Sequence, residues 1–343
     1  MLKRGFLLAT FAIVLQHFRP TVISPESNSE KWQLALIGFG VLFFMFVQLP
    51  KFIPKWINLV INFLGLGVEI AILTQIQYPH DPKFPQFSLY RSDIILLVLT
   101  NIIFFTSLIW LFTRHHPQFR IGLLGVLLGL ILSKSAGGWI TDILSISPIP
   151  WLYKFEYLKY LFIAIPGTFV GEEIINYQQV EDQDIPKNWN QFRLIGIVIV
   201  MGLIILNLLI GLQSRLLPQT TGISLILLLF SYRLLREPHH PLELLLYQMY
   251  QWGIYGLILG LAFEPYQGGI KKDPATMSYF FITTAIAIFI LRIILGVEGG
   301  FTTPDSHSKP CLRFSPHTAP SLIVCYHQSI RFLLSCKTHQ LPF

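Results

Sequence analysis

Apolar runs that are long enough to cross a lipid bilayer recur along this chain from Gly5 to about Val297. Short loops containing Pro, Trp, Lys and Arg separate them. A stretch of about 20 apolar residues matches the hydrocarbon core of a membrane, which is roughly 30 Å thick. A soluble domain has no need of a series of such stretches. The sequence therefore predicts an integral membrane protein whose main partner is the lipid bilayer.

The composition supports the same prediction. Hydrophobic residues make up 53% of the chain and charged residues only 13%, and the mean hydropathy is +0.58. A spanning segment must satisfy its own backbone hydrogen bonds, which leaves helices or a closed barrel. The apolar runs are continuous and lack the alternation of barrel strands. We therefore predict an all-α fold, a polytopic transmembrane helical bundle of about ten helices.

The apolar pattern places these helices between charged or Pro-rich breaks. The predicted ranges are 5–22, 33–49, 57–77, 94–113, 121–141, 156–175, 193–213, 217–235, 243–263 and 277–297. We expect one transmembrane domain over residues 1–300 and a disordered or aberrant tail, such as a shifted reading frame would produce, over residues 301–343. The three small-residue pairs Gly125/Gly129, Gly167/Gly171 and Gly256/Gly260 predict close packing between helices.

The net charge of +7 does not indicate a nucleic-acid partner. Part of it comes from the tail, which has no Asp or Glu after Asp305, and much of the rest flanks helices, where cationic side chains reach the headgroups. The tail also holds all three cysteines, but their spacing is irregular and lacks a paired zinc motif. We predict no metal site. Loops on the N-terminal side carry slightly more Lys and Arg, which favours a cytoplasmic N-terminus.

Polar residues gather on the face opposite the N-terminus, and we predict that they line a substrate-binding cleft at the membrane surface. The predicted binding residues are Lys154, Glu156, Lys159, Glu264, Lys271, Lys272, Asp273, Ser278 and Tyr279. The alternative is an ordinary interfacial belt of aromatic and snorkelling side chains. Glu69 lies within an apolar run and favours a secondary transporter as a second function. Glu172 and Glu173 fit a solvated helix terminus.

Three segments carry a resemblance to known proteins. They are residues 11–20 (FAIVLQHFRP), 150–172 (PWLYKFEYLKYLFIAIPGTFVGE) and 263–281 (FEPYQGGIKKDPATMSYFF). They resemble an uncharacterised family of bacterial membrane proteins that is similar to heparan-α-glucosaminide N-acetyltransferase. The resemblance extends from about residue 3 to residue 298. It implies a membrane acyltransferase in the cell inner membrane that moves an acetyl group from acetyl-CoA, on the cytosolic side, to a sugar or glycan acceptor on the other side.

Acetyl-CoA is then expected as a donor substrate, with no tightly bound cofactor. Whether the protein forms a homodimer is left undecided at this point. The resemblance also implies that this chain begins where the third family helix begins and diverges before the closing helices. Acetyl transfer needs a base beside the acceptor. The resemblance implies that the family's catalytic histidine, which has this role, falls in the missing part. His17 is a weak substitute, so we expect a chain truncated at both ends and inactive alone. A non-catalytic remnant is the remaining alternative.

Overall fold

The computed structural model describes residues 2–24, 29–47, 49–50, 54–78, 80–179, 191–271 and 275–301. Its α-helices are α1 (Leu2–His17), α2 (Pro20–Ile23), α3 (Ser29–Phe46), α4 (Lys55–Gln75), α5 (Ile94–Thr113), α6 (Gln118–Leu132), α7 (Trp139–Ser145), α8 (Leu161–Gln179), α9 (Gln191–Gln213), α10 (Leu217–Leu235), α11 (Pro241–Ala262) and α12 (Met277–Phe301). The predicted tail lies outside the described residues beyond Phe301, so it stays a prediction.

Each predicted helix overlaps one of the longer observed helices, which are α1, α3 to α6 and α8 to α12. The largest difference concerns the fifth prediction, over 121–141, because α6 ends at Leu132 and a 3₁₀ turn and α7 follow. Gly137 and Gly138 adopt φ values of 75° and 66°, a backbone that helices of L-residues do not tolerate. The paired glycines therefore end the helical run.

Five of the described helices are long and apolar enough to cross a membrane, and they indicate a membrane protein. They are Ser29–Phe46, Trp56–Gln75, Ile94–Thr113, Phe192–Gln213 and Met277–Val297. Large apolar side chains point outward on several of them, as Phe43, Phe112 and Ile210 illustrate. Such continuous exposed apolar surface is unfavourable in water and favourable in lipid. The all-helical fold is confirmed in this part of the chain, whereas the count of ten spans stays a prediction.

The chain divides into two compact units. Unit 1 comprises residues 1–105 and 132–158, and unit 2 comprises residues 106–131 together with those from 159 onward. In unit 1, α3 packs along α4 around a core that includes Phe18, Leu42 and Leu73. A Cβ atom on Gly65 would lie 2.8 Å from the Met45 backbone nitrogen, so glycine allows the two helices to approach closely.

Unit 2 has the larger core, which α8 to α12 build from more than twenty buried side chains. Helices α11 and α12 approach closely at Gly256 and Gly260, where an added Cβ would come within 3.2 Å of the Phe281 carbonyl oxygen and 2.9 Å of the Ile282 nitrogen. The packing role predicted for this pair is confirmed. The prediction for Gly125/Gly129 is wrong in the described structure, because an added Cβ there meets nothing within 4 Å.

Candidate functional site

A buried cation in unit 2 organises a polar network of five side chains. We call Trp110, Thr113, Arg120, Thr168 and Glu172 the Arg120 network. The Arg120 side chain is 0% exposed, and its Nη2 donates to Glu172 Oε1 at 2.6 Å. Its Nε donates to Thr113 Oγ1 at 3.0 Å and its Nη1 to Thr168 Oγ1 at 3.1 Å. Each guanidinium nitrogen therefore has an acceptor, as a buried charge requires.

Helix geometry explains how these side chains meet. Thr168 and Glu172 are four residues apart on α8, so they lie on the same face of that helix. The Thr168 hydroxyl donates to the Ile165 carbonyl at 2.7 Å, which leaves its lone pairs directed to accept from Arg120. Arg120 lies in the first turn of α6, directly after the short turn that follows α5. The network consequently joins α5, α6 and α8 at one end of unit 2.

Glu172 is held in one orientation by this network. Its Oε1 also accepts a hydrogen bond from Trp110 Nε1 at 2.7 Å, while its side chain stays 28% exposed. The sequence suggested a solvated helix terminus at this position, and the structure corrects that interpretation for Glu172. A fixed, partly exposed carboxylate can accept further hydrogen bonds or face a cationic group without reorganising.

The turn between α5 and α6 presents an arginine and two histidines beside the network. Arg114, His115 and His116 are all exposed, and the Arg114 guanidinium lies 6.0 Å from the centre of the Trp110 ring. His116 contacts Phe119 edge-on, with the ring centres 5.9 Å apart. Arginine with neighbouring imidazoles is a suitable environment for phosphate oxygens. This turn, which we call the cationic turn because of Arg114, is therefore the surface beside the Arg120 network that a phosphate-bearing ligand could reach.

A second buried ion pair in unit 2 joins α9, α10 and α11. Arg193 Nη1 lies 3.3 Å from Glu243 Oε2, and Arg193 Nε donates to the Leu234 carbonyl at 2.7 Å. His240 caps α11 by accepting from the Leu242 backbone N–H at 3.1 Å. Burial lowers the pKa of the His240 imidazole, which favours the neutral form that this cap requires. These contacts fix the helix ends.

The predicted binding residues of unit 2 lie around the α11–α12 connection. Glu264 Oε1 and Lys271 Nζ lie against neighbouring glycines, within 3.1 Å and 3.0 Å of the Cβ positions that Gly269 and Gly268 would carry. The structure therefore places this acidic and this basic side chain on the same turn. Lys272 and Asp273 lie outside the described residues, and their role stays a prediction.

The other predicted residues of unit 2 are less accessible. Ser278 is buried, and its hydroxyl donates to the Gly260 carbonyl at 2.5 Å, so a ligand would have to displace a bond that joins α11 to α12. Tyr279 is half-buried, with its ring 5.7 Å from that of Phe280. Lys159 is half-buried in the 3₁₀ turn Phe155–Tyr160. Of these residues, only Tyr279 and Lys159 keep part of their surface open.

The predicted binding residues of unit 1 lie in the segment before α8. Lys154 is exposed, and Glu156 forms an ion pair with Lys134 at 3.0 Å. Both members of that pair are more than half exposed, and exposed pairs contribute only about 0–1 kcal/mol. The pair is therefore compatible with the alternative of an ordinary interfacial surface as well as with ligand binding.

His17, the weak catalytic candidate, is fully buried in unit 1. Its Nδ1 lies 2.7 Å from the Ile13 carbonyl oxygen, and its Nε2 lies 3.3 Å from the Ser88 backbone nitrogen. The first contact requires a proton on Nδ1 and the second a lone pair on Nε2, which together specify the neutral tautomer. Both ring nitrogens are thus engaged by backbone groups. This arrangement favours a structural role over that of a general base.

Arg91 holds the same region of unit 1 together. Its Nη2 donates to Asp81 Oδ2 at 2.7 Å and to the Phe84 carbonyl, and its Nη1 donates to the Gln86 carbonyl at 3.1 Å. The guanidinium also lies 3.8 Å from the centre of the Tyr78 ring. The Arg91 hydrogen bond holds the pKa of the Asp81 carboxyl below its usual range, whereas burial raises the pKa of Tyr78 to about 12.

Replacing Asp81 should make the thermal stability of the protein less sensitive to acid. Because the pKa of Asp81 is lower in the folded protein, its ion pair stabilises the fold above the ordinary carboxyl pKa and is lost as the pH falls through the folded-state value. We expect Asp81→Asn to lower the thermal midpoint at neutral pH and to reduce the further loss at acidic pH. Parallel thermal unfolding of the two proteins tests this, and an unchanged difference between them at both pH values would contradict it.

Sequence reasoning missed the Arg120 network because it treated Arg120 as a loop cation that reaches the headgroups. The available signal was its place within the first turn of an apolar helix, combined with an acidic residue at the end of another helix on the same predicted side. No group of three or more metal-binding side chains is positioned for a metal ion within the described residues. The cysteines of the tail lie beyond them.

Comparison with known protein families gives a match. A family model described as a domain of unknown function (DUF5009) matches residues 1–174, which is more than half of the chain and includes the whole Arg120 network. No curated protein and no solved structure matches the sequence. On the strength of the family match, this chain belongs to the DUF5009 family.

Proposed function

We propose that the protein is a multi-span membrane protein of acyltransferase ancestry that binds a phosphate-bearing acyl donor at the cationic turn between α5 and α6. The observation that carries the proposal is the exposed Arg114, His115 and His116 beside the buried Arg120–Glu172 pair. The candidate donor is acetyl-CoA, whose phosphates suit arginine forks. The resemblance of residues 150–172 to acetyl-CoA-dependent acyltransferases supports this choice, because that segment contributes Thr168 and Glu172 to the network.

The proposed activity is binding without transfer. A base for acetyl transfer must lie within hydrogen-bond reach of the acceptor hydroxyl or amine. His17 has both ring nitrogens engaged with backbone groups. A sugar or glycan acceptor would be held by the turn that carries Glu264 and Lys271. We accordingly expect the chain alone to be inactive and to require a further segment or partner that supplies the base.

We also propose a location in the bacterial inner membrane, with about ten spans and a cytoplasmic N-terminus. The α5–α6 turn then faces the cytosol, where acetyl-CoA is available, and its cations agree with the distribution of basic residues that marks cytoplasmic loops. Reporter fusions at Arg114 and at Lys271 test this topology. Reporters that respond as though both sites were on the same side of the membrane would contradict it.

The binding proposal predicts a measurable loss of affinity in one variant. In Arg114→Ala/His116→Ala the phosphates lose charge-assisted hydrogen bonds, and we expect acetyl-CoA to bind about tenfold more weakly. Titration calorimetry of the protein in nanodiscs of uncharged lipid measures this. Arg215→Ala, an exposed arginine that follows α9, is the matched control and should bind like the wild type. Equal affinity in all three proteins, or no binding by the wild type, would refute the proposal.

Glu69 favours a second candidate function, that of a secondary transporter. It is fully buried within α4, and neither carboxylate oxygen has a hydrogen-bond partner in the part of the chain that the structure describes. A carboxyl group in such a place can carry a proton between two sides of a membrane. Proton-driven uptake of a small polar solute into liposomes, abolished by Glu69→Gln, would favour this function over donor binding.

A further inference from the structure

Arg292 is the second fully buried arginine of unit 2, and its surroundings differ from those of Arg120. It lies in α12 and is 1% exposed. It lies five positions before Val297, where the candidate span ends, and so about 7.5 Å inside that end. The guanidinium keeps its charge in proteins and therefore needs a counter-charge or several acceptors when it is buried.

The residues that the structure describes supply only weak partners for this charge. Arg292 Nη1 donates to the Met201 sulfur at 3.0 Å, and thioether sulfur is a weak acceptor. The guanidinium carbon lies 4.9 Å from the centre of the Tyr250 ring, which gives a cation–π contact. Arg292 Nε and Nη2 have no hydrogen-bond partner among the described residues. In Arg120, by contrast, all three nitrogens donate to oxygen atoms.

The two unpartnered nitrogens form one edge of the guanidinium. The Nε–H and one Nη2–H point in the same direction, and this is the edge that binds two oxygens of a carboxylate or phosphate side by side. The Met201 contact occupies Nη1, on the opposite side. The unpartnered edge thus has the chemistry of an oxyanion site.

Two buried hydroxyl groups, those of Tyr250 and Ser231, lie on the Tyr250 side of the guanidinium. The Tyr250 hydroxyl donates to the Leu228 carbonyl of α10. Ser231 lies three residues further along the same face of α10, is fully buried, and its hydroxyl lies beside that of Tyr250. The nearest acidic residue on α11, Glu243, lies two turns from Tyr250 and is already engaged by Arg193. A bound oxyanion would give Arg292 the acceptor atoms that the described side chains do not.

We propose that Arg292, with Tyr250 as the wall of the site, binds an oxyanion of the carboxylate or phosphate class within the core of unit 2. The Nε/Nη2 edge of Arg292 donates two parallel hydrogen bonds to this anion. The source is either the phosphate of an anionic lipid that reaches inward from the end of α12 or a small soluble anion. The proposal is independent of donor binding at the α5–α6 turn.

Thermal unfolding of the full-length protein in a nonionic detergent, in an oxyanion-free chloride buffer, tests the proposal. One arm adds acetate or inorganic phosphate against chloride at equal ionic strength. The other adds phosphatidic acid against diacylglycerol, which lacks the phosphate. We expect the wild-type midpoint to rise by several degrees, and to saturate, in at least one arm. The arm that responds identifies the source of the anion.

Two substitutions of Arg292 make the test specific. Arg292→Met keeps a similar volume without the charge, so we expect it to be at least as stable as the wild type without oxyanion and to show no response. Arg292→Lys keeps the charge but loses the fork and should respond less than the wild type. Arg236→Met, at an exposed arginine, should respond fully. A wild type that responds in neither arm, or a full response in Arg292→Met or Arg292→Lys, would overturn the proposal.

Discussion

Glu172→Ala should destabilise the protein by about 3 kcal/mol, because it leaves the buried Arg120 cation without its counter-charge. The Arg120 side chain is 0% exposed, and its shortest hydrogen bond is the one to Glu172 at 2.6 Å. Thr113 and Thr168 would remain as acceptors, but neither carries a negative charge. Trp110 Nε1 would lose its acceptor as well. Reversible unfolding in mixed detergent micelles measures the free energy.

Removing Arg120 instead of Glu172 should cost less stability, and this difference between the two variants is the more specific part of the prediction. Arg120→Met removes the buried charge and leaves Glu172, whose side chain is 28% exposed and therefore partly hydrated. We expect a loss of roughly 1 kcal/mol, chiefly from the hydrogen bonds to Thr113 and Thr168. The double variant Arg120→Met/Glu172→Leu should lie well above Glu172→Ala in stability, since no unpaired charge stays buried.

Glu173→Ala is the control for the change of Glu172 to alanine. It removes a half-buried carboxylate at the adjacent position of α8, which no ion pair joins to Arg120. Its effect should be below that of Glu172→Ala. If both alanine variants lost the same free energy, or if Arg120→Met lost more than Glu172→Ala, the buried pair would not be the source of the stability.

The long helices could be predicted because the property that defines them is local. A run of apolar residues of bilayer length specifies a helix whatever its neighbours are, as for α5, whose bounds at Ile94 and Thr113 match the prediction. The end of α6 was harder to predict from the sequence. The flexible pair Gly137 and Gly138 was visible in the sequence, but only the positive φ values show that the helix stops before it.

The partners of charged side chains could not be predicted, because they depend on contacts between distant segments. Arg120 and Glu172 are 52 residues apart, and only the tertiary fold brings the Arg120 side chain to α8. Arg292 lies within an apolar run where its sequence context resembles that of a snorkelling cation. His17 likewise gave no sign that a backbone amide 71 residues away would occupy its second nitrogen.

Glycine pairs illustrate the same limit. Gly125/Gly129 and Gly256/Gly260 share one spacing, yet only the second pair lies against a neighbouring helix in the described structure. Spacing defines which residues share a helical face, while the tertiary fold determines whether that face is covered. Gly202 in α9 provides a matched control, because an added Cβ there meets nothing within 4 Å.

Gly260→Ala should therefore destabilise unit 2, whereas the same change at Gly202 should be neutral or stabilising. A Cβ at position 260 would overlap the Ile282 side chain and lie 2.9 Å from the Ile282 backbone nitrogen, so α12 itself would have to move. We expect a loss of about 2 kcal/mol from overpacking, which exceeds the roughly 0.5–1 kcal/mol that alanine gains over glycine within a helix. Chemical unfolding of the wild type and the two glycine variants decides the point, and a Gly260→Ala variant as stable as Gly202→Ala would mean that α11 and α12 do not approach this closely.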